Sequence, residues 1–174
     1  MTDRIICCGI LTAAYFSLFI EYGFCPAFFT AAVLLSVLLF ISFVDIEERR
    51  VPHKAVLLCA GTHLAHTVAR AGAGEDAAGI IAENLAGTVY MSAFLAAVLF
   101  FELCLGKKLL GGGDLRLLIL LGAHLGAGAV PALLFFVCVF ALPAAAFPAG
   151  RKNKKGTIAM VPAIFLAAWA VLLL

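Results

Sequence analysis

The sequence predicts an all-α bundle of about seven (six to seven) membrane-spanning helices, and three observations carry that expectation. Apolar residues make up 65% of the 174 and charged residues only 13%, against roughly 25% charged in soluble domains. The apolar residues gather into runs that approach the ~20 needed to cross a bilayer as helix. Nearly all lysine and arginine falls on one side of those runs when they are threaded back and forth. The formal net charge of +2 gives no argument for nucleic acid, because placement matters more than the sum.

Hydropathy places the spans at about 5–20, 27–44, 55–69, 77–101, 115–128, 129–149 and 157–174. Gly23 and Pro26 break the first from the second, and Pro52 breaks the second from the third. "RAGAGED" precedes the fourth, "GKKLLGGGD" the fifth, "GAGAVP" the sixth and "GRKNKKG" the seventh. The third and fifth are short and need tilt, thinning or neighbours to fit. Pro131, Pro143 and Pro148 kink or end the sixth. In the fifth, Gly122 and Gly126 bracket "GAHLG", a small-xxx-small spacing that lets helices approach closely. No repeat, linker or composition shift divides the chain, so residues 1–174 read as one transmembrane domain.

With the N-terminus in the cytoplasm, the cytoplasmic segments hold Arg4; Arg49, Arg50 and Lys54; Lys107, Lys108 and Arg116; and Arg151, Lys152, Lys154 and Lys155. Of 12 basic residues, Arg70 alone falls outside. That one-sidedness sets orientation by the positive-inside rule and supports the span count, since one missed span would scramble it. The six cysteines form no C-x-x-C pair and sit mostly in apolar runs, as reduced thiols do, so no structural zinc is expected from them.

Two carboxylates remain to be explained. Asp114 follows Gly111, Gly112 and Gly113 at the mouth of the fifth span, and Asp45 ends the second span in "FISFVDIEERRVPHK". They are 69 residues apart, yet the alternation sets both at the cytoplasmic face. Singly, each has a plainer meaning: Asp114 as a helix cap, Asp45 as the first solvated residue after a span. A cap needs no triple glycine, and glycines cost conformational entropy unless backbones must come close or a loop must move. Two carboxyls sharing one proton form a general base and a general acid, which suffices to hydrolyse an amide without metal or cofactor.

"GGGDLRLL" resembles the G-x-G-D motif of intramembrane aspartyl proteases, and "DIEERRVPH" resembles the D-x-x-x-x-x-[IV]-P-N segment of type IV prepilin peptidases. "KGTIAMVPAIFLAAW" is similar to the proline segment that opens that family's last span. The resemblance runs from about Ala27 to the C-terminus. It implies an aspartic-type endopeptidase that removes the basic leader of prepilin or pseudopilin-like proteins at the cytoplasmic face of the inner membrane. It makes Asp45 and Asp114 the catalytic pair and assigns Gly111, Gly112, Gly113 and Pro52 to the active-site loops. His53 stands where asparagine is usual, and Arg116 where lysine is usual. No C-x-x-C motif or N-terminal cytoplasmic segment is present, so the chain looks like the compact, peptidase-only form associated with tight-adherence pili.

Other polar residues carry weaker expectations. Glu47 and Glu48 beside Asp45 would attract a basic leader, or simply balance Arg49 and Arg50. Lys107, Lys108 and Arg116 would contact anionic lipid, or only set topology. His63 and His66, three apart, read as a packing or hydrogen-bonding pair, because two histidines without further ligands make a poor metal site. The expected partners are therefore a prepilin-like substrate and membrane lipid. A small transporter or scaffold that uses Asp45 and Asp114 for protons or cations is the rival class. Such acids should line a path across the bilayer rather than share one face.

Overall fold

The structure, a computed structural model, describes residues 2–48, 50–106, 110–146 and 160–174. Seven helices and no strand lie among the described residues: α1 (Thr2–Tyr22), α2 (Pro26–Glu48), α3 (His53–Gly72), α4 (Ala77–Leu105), α5 (Gly112–Leu125), α6 (Val130–Ala146) and α7 (Val161–Leu172). Their order matches the seven hydropathy runs. By length and composition, α2 and α4 are long and apolar enough to cross a membrane.

The helix ends follow local chemistry. Pro26 opens α2, where its missing N–H costs nothing. Asp76 caps α4, its carboxylate accepting from the N–H groups of Ala78 and Gly79. Gly106 closes α4 in the left-handed region at φ +63°. Most helix ends differ from the hydropathy runs by a few residues, and in α2, α3 and α5 the difference brings charged or polar residues into helix. The second helix continues four residues past the apolar run, to Glu48, so Asp45 is helical. The third helix has 20 residues, because His53, Lys54 and Arg70 extend its apolar middle. The fifth starts at Gly112, placing two of the three glycines inside it. Pro143 lies within α6 near its end; Pro148 and the 151–155 basic run lie outside the described residues.

Helix α2 is the hub, packing on α1, α3 and α7, while α5 lies between α3 and α4. The core is aliphatic, and Leu34, Leu35, Leu38 and Ile41 of α2, Leu117, Leu118 and Leu121 of α5, and Ile164 and Ala168 of α7 belong to one cluster. Helices α4 and α5 come together through glycines. A Cβ on Gly87 would run into the Gly122 carbonyl oxygen, and one on Gly122 would stand 2.7 Å from Met91 Cβ. The close approach expected of Gly122 is therefore made, with Gly87 as its partner.

Contacts at the two ends of the bundle set helix direction. At one end the last turn of α2 meets the first turns of α5 and α7. At the other, the Tyr22 hydroxyl donates to the Leu172 carbonyl (2.9 Å), linking the far ends of α1 and α7. Thr30 near the start of α2 meets His66 near the end of α3. Neighbours in sequence thus run antiparallel, and the two aspartates fall at the same end.

Candidate active site

Asp45 sits in the last turn of α2 and is 6% exposed. A carboxylate taken out of water must be hydrogen-bonded. The backbone N–H of Val161 donates to Asp45 Oδ2 at 3.1 Å. That N–H is one of the unpaired donors in the first turn of α7, and the next residue, Pro162, has none to offer. Asp45 therefore caps α7 from a different helix, and the positive end of the α7 dipole faces its charge. This corrects the plainer sequence reading of Asp45 as a solvated residue beyond its span.

Asp114 occupies the third position of α5. Its Oδ2 accepts from the Gly111 N–H at 3.3 Å, which is the reaching-back half of a capping box. Its Oδ1 is buried and has no hydrogen-bond partner among the described residues. Capping thus occupies one oxygen and leaves the other oriented by the rest of the bundle. Just ahead of the fifth apolar run, the Asp114 carboxyl is pushed up from 3.8 to about 6. Burial is the main cause, the nearby Asp45 carboxylate adds to it, and the Gly111 N–H opposes both. The two acids are thus close enough to sense each other's charge.

The glycines serve different ends. A Cβ on Gly113 would lie 2.6 Å from Val51 Cβ, so the segment between α2 and α3 rests directly on the start of α5. A Cβ on Gly111 would crowd Asp114 Oδ2 at 2.9 Å, whereas one on Gly112 would meet nothing within 4 Å. Pro52 caps α3 in extended conformation, φ −66° and ψ 133°, which holds Val51 against Gly113. On the α4 side, the Leu110 N–H donates to Glu102 Oε1 at 2.6 Å, tying the start of the glycine segment to the end of α4.

Glu47 and Glu48 are exposed at the end of α2, and Arg50, His53, Lys54 and Arg116 are exposed around the same end. Arg116 Nη1 donates to His53 Nδ1 at 3.0 Å. The two positions that depart from the resembled pattern thus bond to each other, across α3 and α5. Lys107 and Lys108 lie outside the described residues.

Sequence reasoning brought Asp45, Asp114, the glycines and Pro52 to one end, and the structure brings them together there. It missed Val51, Val161 and Glu102 as supports. Val51 could have been suspected from its place beside Pro52. Val161 acts through its backbone, which no side-chain pattern announces. Among the described residues no group of three His, Cys, Asp or Glu is arranged to hold a metal ion.

The model of the type IV leader peptidase family matches residues 32–146. The match takes in Asp45, Pro52, the glycines and Asp114, and covers more than half of the chain. No curated protein and no solved structure matches the chain.

Proposed function

The chain belongs to the type IV leader peptidase family, and we propose that it is an aspartic endopeptidase that removes the basic leader of prepilin or pseudopilin-like proteins with Asp45 and Asp114. The observation that carries this reading is the meeting of buried Asp45 and half-buried Asp114 in unlike surroundings. Asp45 receives a backbone N–H and the positive end of α7, which suits a carboxylate. Asp114 is held up to about 6 by burial and by Asp45, which suits a carboxylic acid.

From that asymmetry the steps follow. Asp45 as general base takes a proton from water, and the water oxygen attacks the scissile carbonyl. Asp114 gives its proton to the carbonyl oxygen as the tetrahedral intermediate forms. Collapse breaks the C–N bond, and a proton returning through the pair reaches the leaving amine.

The seven helices are proposed to span the inner membrane as one peptidase domain, N-terminus and both aspartates on the cytoplasmic side. The antiparallel order of the helices and the one-sided basic residues support that orientation. Glu47 and Glu48, exposed beside the acids, offer negative charge to a basic leader. The substrate's own apolar helix would dock from the lipid.

The test is Asp45→Asn and Asp114→Asn, each purified in detergent and given a synthetic prepilin. Each variant should insert and fold yet lose cleavage by orders of magnitude, since a proton-sharing pair fails as a unit. Near-normal cleavage by either variant would sink the aspartyl mechanism.

A further inference from the structure

Glu102 lies in the last turn of α4, in sequence among the exposed apolar side chains Phe100, Phe101, Leu103 and Leu105. Nothing local favours a carboxylate there. The last turn of a helix carries the negative end of its dipole, and an acid set among apolar side chains at a membrane edge is costly. What the acid does is reach the next helix's approach: the Leu110 N–H donates to Glu102 Oε1 at 2.6 Å, a short bond to a charged acceptor. The two-aspartate scheme gives Glu102 no role.

The bond acts where the chain has least stiffness of its own. Gly111, Gly112 and Gly113 follow Leu110 directly, and glycine sets no narrow backbone preference that would aim an N–H. Leu110 is fixed twice instead. Its side chain is 8% exposed and belongs to the core cluster, and its N–H is taken by Glu102. The next N–H along the chain, that of Gly111, donates to Asp114 Oδ2. Two successive N–H groups are thus received by two carboxylates, one on α4 and one on α5. The Gly111–Asp114 bond is 3.3 Å long, just beyond the usual range of about 2.7–3.2 Å, so a small displacement of Leu110 suffices to break it.

We propose that Glu102 is a positioning residue for peptide cleavage: by holding the Leu110 N–H it keeps the Gly111 N–H on Asp114 and so fixes that carboxyl at the mouth of α5. It acts through the glycine segment and not on the reacting atoms. The proposal rests on the reading of Asp114 as the proton-donating member of the pair.

Loss of the Glu102 bond has a chemical signature. The Gly111 N–H favours the charged form of Asp114, against burial and Asp45. With that N–H withdrawn, Asp114 keeps its proton to higher pH. The other ionisable groups at this end are unchanged by a substitution at Glu102. Asp45 on α2 faces Asp114, Arg116 at the start of α5 and His53 at the start of α3 bond to each other, and Glu47, Glu48, Arg50 and Lys54 are exposed.

The test compares the full-length parent with Glu102→Met, Glu102→Ala and Glu102→Gln, each purified in detergent and given a synthetic prepilin across a range of pH. Glu102→Gln removes the charge and keeps the acceptor oxygen; Glu102→Met keeps the length, suits an apolar helix end and removes the acceptor, so it serves where Glu102→Ala does not fold. Glu102→Met should lower kcat roughly 10- to 100-fold with little change in KM, the scale of a misplaced reacting group. Its upper pH limb should move to higher pH. Glu102→Gln should stay within about threefold of the parent, because a neutral acceptor still satisfies the N–H, and should keep the parent's limb. Parental kcat in Glu102→Met, a kcat loss in Glu102→Met with an unmoved limb, or equal impairment in Glu102→Gln and Glu102→Met would each overturn the proposal. Asp114→Asn is assayed alongside: if it cleaves normally the peptidase reading falls and this proposal with it, whereas an inactive Asp114→Asn beside a parental Glu102→Met overturns the role of Glu102 alone.

Discussion

Val51 lies so close to Gly113 that a methyl group on the glycine would come within 2.6 Å of the valine's Cβ. This contact joins the segment after Asp45 to the residue before Asp114, and it explains why glycine is required ahead of that aspartate. Gly112, one position earlier, has open space around its would-be Cβ. Gly113→Ala should therefore push the α2–α3 segment off α5 and lower the cleavage rate severely, while Gly112→Ala should leave it within a few-fold. Equal activity of the two variants, at equal expression, would count against close approach as the purpose of the glycine.

The Arg116–His53 bond calls for a neutral acceptor at position 53, since arginine only donates. Asparagine supplies one and lysine does not. His53→Asn should keep near-parental cleavage, and His53→Lys should lose several-fold by setting two cations side by side. The stability change should stay below about 1 kcal/mol, because both groups are exposed. Thermal unfolding in detergent alongside cleavage separates these effects.

The Gly87–Gly122 crossing predicts a stability effect without chemistry. A side chain at Gly122 would run into Met91 and the Gly87 carbonyl, whereas one at Gly128 would meet nothing within 4 Å. Gly122→Ala should destabilise the bundle by roughly 1–3 kcal/mol, the usual cost of overpacking, and Gly128→Ala by little. Denaturation in mixed micelles reads the difference directly.

How much of this was legible beforehand differs between fold and site. The number and order of helices could be read because glycine or proline lies in each break between the apolar runs. Helix ends could not, because hydropathy stops at the first charge whereas helix α2 continues through Asp45 to Glu48. Asp45 and Asp114 stood out because carboxylates beside apolar runs are costly. Their supports did not, because Val161 contributes a backbone N–H and Val51 contributes bulk, and neither leaves a polar mark. His124 was invisible as a partner of His63 and His66 until α3 and α5 were seen to pack together.

Orientation has its own test. With native cysteines replaced, a single cysteine at Glu47 should react with an impermeant reagent from the cytoplasmic side, and one at Gly74 only from outside. The two positions lie at opposite ends of α3. Reaction of both from the same side would refute a membrane-crossing α3.

The pH dependence should reveal the pair most directly. Asp114 holds its proton up to about 6, while a carboxyl in the unfolded chain releases it near 4. If cleavage needs one shared proton, the rate should fall as pH rises through about 6, and fall again in acid when the second carboxyl is protonated. The apparent values belong to the pair and not to either residue. Stability should move in a defined direction as well. Between about pH 4 and 6 the folded protein binds a proton that the unfolded chain has lost. The contribution from Asp114 is thus fully present below that window and is lost as pH rises through it. Asp114→Asn has no proton to release, so its unfolding temperature should lack this decline, and the difference from the parent should widen toward neutral pH. Gly112→Ala, folded and active, should retain the parent's profile in both measurements. A flat rate profile across pH 4–8, or an Asp114→Asn stability curve parallel to the parent's, would show that Asp114 is not the group held protonated. Strong chelators should leave the bell in place, because neither carboxyl in this scheme acts through a metal.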